Sequence, residues 1–131
     1  MLETGLTTQL ERFVGENDTA RVRGSGSLDV FATPALAELV EACCCACIEG
    51  KLEAGETSVG SRLDLQHVAP TPVGMRVTCT CELVEIDGRV LSFDVQASDE
   101  CGLIGQAHHT RAVVQAERFQ SKTDAKGQVV S

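Results

Sequence analysis

The chain has no tryptophan, no tyrosine and only four phenylalanines among its 131 residues. The aromatic platforms on which nucleic-acid bases stack are therefore missing. Basic residues are also few: 11 Lys and Arg stand against 19 Asp and Glu, a formal net charge of −8. A chain without a basic footprint is not built to hold DNA or RNA. Any anionic ligand needs a local cationic cluster that works against the overall field. No apolar run approaches the roughly 20 residues of a membrane-spanning helix, so no membrane partner is expected. The opening MLETGLTTQLERFVG carries acidic residues early and no long apolar stretch, unlike a signal peptide. Seven cysteines without an export signal read as reduced thiols in a cytoplasm.

With aromatics scarce, aliphatic side chains and cysteines must fill the core. Hydrophobic residues make up 43% of the chain, which argues against disorder, and the length suits one domain. Residues 1–131 are read as that domain, with 1–4 and 121–131 as frayed tails. A first strand fits residues 5–14. The glycines and serines of TARVRGSGSLDVFAT suit a loop or irregular lid. One helix follows, with Thr33 as N-cap candidate, Pro34 at the first helical position and Gly50 as the stop. Leu36, Val40, Cys43 and Cys47 share one face, and Leu39, Cys44, Ala46 and Ile48 occupy others, so the helix is expected to be buried on several sides.

The remainder alternates as strands. Val59, Ser61, Leu63, Leu65 and His67 are expected on one face, with Gly60, Arg62, Asp64 and Gln66 opposite. Val77, Cys79, Cys81 and Leu83 point inward, as do Leu91, Phe93, Val95 and Ala97. Asp87–Gly88 predicts a two-residue type I′ hairpin between these two strands. A last strand is expected from about Leu103 to Arg118. Strand, helix, then four strands predicts an α+β fold: an antiparallel sheet wrapped around one long helix.

The conspicuous stretch is VEACCCACIEG. Consecutive helical residues point about 100° apart, so Cys43, Cys44 and Cys45 cannot converge on one metal ion. The C-x-x-C of Cys44 and Cys47 lies toward the helix C-terminus, where the dipole disfavours a thiolate. Packing explains these cysteines better, because free cysteine is a small, commonly buried hydrophobe, and Cys79 and Cys81 fall on an inward face. No metal site is expected.

Polar residues on apolar elements remain. Glu41 has a bland reading as part of a wet stripe with Glu38 and Glu49. His67 by itself reads as a core histidine, Thr33 as a cap, Arg111 as a surface ion pair and Gly60 as a β-bulge. His109 lies on the strand face of Arg111, Ala107 and Val113. Taken together, VFAT…E at 30–41, VG……HVAPTPVGMRV at 59–77, DGRVLSFDVQASD at 87–99 and IGQAHHTRAVV at 104–114 resemble the hotdog-fold acyl-CoA thioesterases. Within that superfamily they look most like the fluoroacetyl-CoA thioesterase-like family. The resemblance spans about residues 28–119.

The resemblance implies a hotdog fold, a homodimer or dimer of dimers, active sites at the dimer interface, and an acyl-CoA as substrate with no cofactor. It places Thr33, Glu41 and His67 on the family's catalytic threonine, glutamate and histidine. It places Gly60 near the acyl carbonyl and Arg111 on the substrate side, and His109, on the same strand face as Arg111, is a further substrate-binding candidate. Thioester cleavage uses a nucleophile, a proton shuttle and oxyanion donors, and these residue types supply all three. Thr33 and Glu41, eight positions apart, lie about 12 Å apart along a regular helix. Either the helix starts later or two protomers share a site.

At one position the chain departs from the relative: an aromatic lid residue six places before the threonine is here Ser27. A small lid seals the acyl pocket less well, so specificity for fluoroacetyl is not expected, and another short or medium acyl group suits the pocket at least as well. Arg62, Arg76, Arg89, Arg118 and Lys122 are candidates for the coenzyme's phosphates. Two rival functions are an acyl-CoA-binding or sensing domain without turnover and an enoyl-CoA hydratase-like enzyme.

Overall fold

The computed structural model describes residues 1–130. Five antiparallel strands form one sheet: β1 (Thr7–Phe13), β2 (Glu56–His67), β3 (Arg76–Asp87), β4 (Val90–Asp99) and β5 (Gly102–Gln115). Their order is β1-β3-β4-β5-β2, which leaves β1 and β2 at the edges. Helix α2 (Thr33–Cys47) packs across the inner face against all five strands. This is the expected α+β architecture.

Alternation in β3 and β4 does what the sequence predicts. Val77, Cys79, Cys81, Leu83, Leu91, Phe93, Val95 and Ala97 are all buried. The thiols sit where sheet and helix meet. Cys43, Cys44 and Cys47 come from the helix, Cys79 and Cys81 from the sheet. Cys43 Sγ lies 3.4 Å from the Cys79 carbonyl, and Cys81 Sγ donates to the Cys43 carbonyl at the same distance. A hydrogen bond with Cys43, followed by burial, pushes the Cys79 thiol up from its ordinary pKa. Burial does the same to Cys47. Such thiols are protonated packing groups.

Several expectations shift. The hairpin between β3 and β4 pairs Asp87 with Val90, so its two loop residues are Gly88 and Arg89, one place later than expected. Gly88 has φ +61° and Arg89 has no positive φ. Glycine first in a two-residue loop suits a II′ turn rather than I′. The N-cap of α2 is Ala32, with Thr33 already helical. The helix is buried on several sides as expected, and Glu38, Glu41, Ala42 and Cys45, with Glu49 just past its end, form one exposed stripe. Strand β5 stops at Gln115, and helix α3 (Ala116–Val130) replaces the predicted strand end and frayed tail. Good helix formers and a Gln120–Asp124 bond at i,i+4 spacing support that helix.

The segment between β1 and α2 is fastened down. It contains a 3-10 turn at Glu16–Asp18 and a short helix α1 (Ala20–Arg23) capped by Thr19. Buried Asp18 binds Arg12, Arg23 and the Gly15 N–H. Both arginines also reach Glu38 on α2. Phe31, 1% exposed, anchors the far end of the segment.

Candidate active site

Two clusters of functional side chains stand apart on the inner face. The first joins the start of α2 to the end of β2. Thr33 Oγ1 lies 2.8 Å from His67 Nδ1. Freed from capping duty, the hydroxyl holds the imidazole instead. His67 Nε2 is shut off from solvent and has no hydrogen-bond partner among the described residues. Phe31 meets the ring edge-on, centroids 6.5 Å apart. Burial pulls the His67 pKa below its ordinary value, against a smaller opposing effect of the Ala69 backbone. A cavity of about 420 Å³ opens beside this pair, walled by Ser25, Gly26, Ser27, Leu28 and Val68. The Ser27 region thus lies beside the Thr33–His67 pair and leaves it open.

The second cluster depends on a β-bulge. Pairing of β2 with β5 slips between Gly60 and Arg62. The extra residue, Ser61, is exposed, and its hydroxyl donates to the Thr110 carbonyl at 3.2 Å. The slip corrects the predicted faces. Gly60 pairs with the inward Arg111 and faces the helix instead of pointing away. A Cβ on Gly60 would stand 2.8 Å from Glu41 Oε2, 3.2 Å from His109 Cε1 and 3.4 Å from Arg111 Nη1. Only glycine lets the carboxylate come this near the strand, and re-aiming at a site is a recurrent use of bulges.

Around that glycine the polar groups interlock. Arg111, 7% exposed, donates from Nε to Ser58 Oγ at 2.8 Å, from Nη2 to the Ser58 carbonyl at 3.1 Å, and from Nη1 to His109 Nε2 at 3.0 Å. It is a buried cation held by neutral acceptors, not the surface ion pair of the bland reading. His109, 1% exposed, donates from Nδ1 to the Arg62 carbonyl at 2.8 Å. Glu41 Oε2 stands 4.0 Å from His109 Nε2, and its side chain is 47% exposed.

The structure therefore brings Thr33 to His67, and Glu41 to Gly60, His109 and Arg111. It does not bring the two groups together. The helix starts at Thr33 without curling, so about 12 Å of helix separates Thr33 from Glu41. Along β2, the seven steps from Gly60 to His67 span about 23 Å. Sequence reasoning missed Ser58 and the Arg62 carbonyl, because only the bulge aims them at β5. Of the five candidate phosphate ligands, Arg76 pairs with Glu11 and Arg89 with Glu56. Arg62, Arg118 and Lys122 form no ion pair among the described residues.

Comparison with known proteins gives concordant results. The family model for the fluoroacetyl-CoA-specific thioesterase matches residues 14–117. The fluoroacetyl-CoA thioesterase of Streptantibioticus cattleyicolor is 41% identical over 98 residues, covering 75% of this chain and 70% of that one. A solved structure of a fluoroacetyl-CoA thioesterase superposes with a TM-score of 0.90 at 33% identity, covering 96% of this chain and 98% of that one. A variant of such an enzyme has been solved with fluoroacetate and CoA. A thioesterase superfamily member from Thermus thermophilus shares the fold, with a TM-score of 0.90 at 24% identity over 98% of this chain and 95% of its own.

Proposed function

This chain belongs to the fluoroacetyl-CoA-specific thioesterase family and hydrolyses acyl-CoA thioesters, and we propose that each of its active sites is assembled from two copies of the chain. The observation that carries this reading is the separation of the two clusters. Neither α2 nor β2 can bring Glu41 to His67 within one protomer, but a two-fold axis can. Antiparallel pairing of two β2 edges about an axis at Asp64, with Ser61 the extra residue in each strand, would set His67 opposite the partner's Gly60. The exposed state of this edge supports the pairing. Leu63, Leu65 and His67 are only half-buried, whereas inner residues of β3 and β4 are fully covered. Ala42 and Cys45 on α2 are exposed on the same side as Glu41. The outward sheet face, with Gln66, Gln96, Gln106, Asp64 and Asp94, is polar, which favours the dimer as the working unit.

In the composite site, Glu41 supplies the oxygen, by direct attack on the carbonyl or by activating water. The thioester C–S bond breaks and the CoA thiolate leaves. On the direct route a water then opens the acyl–Glu41 anhydride, which frees the acid and restores the carboxylate. On either route the proton lost by the water ends on the thiolate, and neutral His67, held by Thr33 at Nδ1, relays it through Nε2. Arg111 and the backbone at Gly60 face the developing oxyanion. Side chains provide all this chemistry, and no cofactor is called for. The open wall at Ser27 suits a short or medium acyl group larger than fluoroacetyl. Arg62, Arg118 and Lys122 are the cations left for the coenzyme's phosphates. Among the described residues no helix is long and apolar enough to cross a membrane, and the seven free thiols suit a cytoplasm.

The test is thiol release from acyl-CoAs running from acetyl to decanoyl, with fluoroacetyl included. Glu41→Ala and His67→Ala should each lose about 10²–10⁴-fold in kcat. Refolding the two variants together as an equal mixture should restore about one quarter of wild-type activity. Half the dimers are then mixed, and each mixed dimer carries one intact site of two. No recovery in a mixture that exchanges subunits would sink the shared site. Binding of acyl-CoA without thiol release would favour the sensing function instead.

A further inference from the structure

His109 is buried beside the chemistry, yet neither ring nitrogen is free to meet a substrate. A carbonyl can only accept, so the proton at the 2.8 Å contact with Arg62 O belongs to Nδ1. A guanidinium can only donate, so Nε2 is the acceptor at 3.0 Å from Arg111 Nη1. These two partners fix one tautomer and one charge state: a neutral imidazole protonated at Nδ1. The 4.0 Å approach of Glu41 Oε2 to Nε2 is consequently not an ion pair.

We propose that His109 is a positioning residue for thioester cleavage, a neutral strut that locks the Arg111 guanidinium against Gly60 and so sets the polar wall facing Glu41. The proposal rests on the hydrolase reading of this site. Nη1 is the arginine nitrogen beside Gly60. One of its two hydrogens is bound by His109, and the planar geometry then dictates where the other points. Without that bond the guanidinium is anchored only through Ser58, at Nε and Nη2, and Nη1 loses its own tether. The other end of the strut is the Arg62 carbonyl, immediately past the bulge that turns Gly60 inward. One imidazole thus ties the bulge of β2 to the arginine of β5, and outer partners of this kind tune a site without touching the reacting atoms.

The surroundings keep the strut neutral. Arg111 from β5, Glu41 from α2, the Arg62 backbone from β2 and the Phe93 ring from β4, 6.4 Å away, face His109. Burial lowers its pKa first, with Arg111 adding to that and the Arg62 carbonyl and Glu41 opposing. A proton on Nε2 would also set donor against donor at Arg111.

Nitrogen-detected NMR of the ¹⁵N-labelled wild-type protein should show His109 as the Nδ1–H tautomer at neutral pH. An Nε2–H tautomer or a charged ring there would overturn the lock directly. In the thiol-release assay, His109→Leu should lower kcat about 10–100-fold with KM little changed. His109→Gln, whose amide can donate to Arg62 O and accept from Arg111, should recover most of that loss. A folded Leu variant with wild-type kcat refutes the proposal. So does a folded Gln variant as impaired as His67→Ala, which would make His109 a proton-transfer group. If the Leu variant does not fold, the Gln variant and the tautomer still decide. If wild type cleaves no thioester, the hydrolase reading fails, while the NMR result continues to test the lock itself.

Discussion

The two clusters of the site are built to opposite tolerances. At Glu41 the carboxylate, a glycine, a histidine and an arginine are packed so closely that one methyl group has no room. At His67 a single hydrogen bond joins two side chains beside a cavity of about 420 Å³. The tight half is supported by the bulge, Ser58 and Arg62 O. The open half is supported by the ion-paired segment over residues 15–32. A thioester has one centre whose geometry must be controlled and two arms that need space. The contrast teaches that precision and room are provided by different strands of chain, so one can change without the other.

The first way to break this contrast is to fill the tight half. Gly60→Ala would place a methyl group 2.8 Å from Glu41 Oε2. The carboxylate is the far end of a flexible, half-exposed side chain, so it can swing aside at small cost in stability. The displaced group is nonetheless the one proposed to deliver oxygen. We expect kcat to fall about 10²-fold while the melting temperature stays within about 4 °C of wild type. Steady-state assay and thermal denaturation check the two halves of that statement. A large drop in melting temperature would mean that Gly60 serves the fold rather than the site.

A smaller effect is expected from narrowing the open half. Ser27→Phe puts a large apolar side chain into the wall beside Thr33 and His67. It should shift preference toward the shortest acyl groups by about tenfold in relative kcat/KM, leaving turnover of acetyl-CoA nearly intact. Competition between acetyl-CoA and octanoyl-CoA measures the ratio. An unchanged ratio would place the acyl chain elsewhere and reassign this cavity to the coenzyme arm.

The same contrast explains what could be read in the sequence. Strand alternation in β3 and β4 was legible because burial on one face leaves a period of two. Helix geometry forbids the helix cysteines to converge, and the packing reading holds for Cys43, Cys44, Cys47, Cys79 and Cys81 but not for Cys45, which is exposed. Thr33, Glu41, His67, Gly60 and Arg111 were singled out through the family resemblance, and His109 by its place on the Arg111 face, since each alone has an ordinary explanation. Their grouping was not legible. The bulge at Ser61 reverses the faces of β2 before it, and no local pattern announces a one-residue slip. Thr33 looked like a cap because its hydroxyl type fits one, and only the fold shows that His67 takes that hydroxyl. Helix α3 was missed because its polar sequence has little core to face, and its residues to 128 are largely exposed.

The finest test concerns protons. His67 has a pKa lowered from 6.5, chiefly by burial. In the unfolded chain it titrates at about 6.5. Between the folded value and 6.5 the unfolded state binds more protons, so stability falls as pH drops through that window. Below the folded value both states are protonated and the effect is complete. His109, lowered by burial as well, adds in the same direction. Activity should behave differently, because the neutral imidazole persists in the folded protein below pH 6.5. The acid limb of kcat should therefore lie below 6.5, while the melting temperature is already declining there. An acid limb at or above 6.5 would mean that His67 is solvated in the working enzyme, so that the open half is wetter than a lone protomer suggests. A limb below 6.5 that remains in His109→Gln and is absent from the residual activity of His67→Ala would assign the titration to His67.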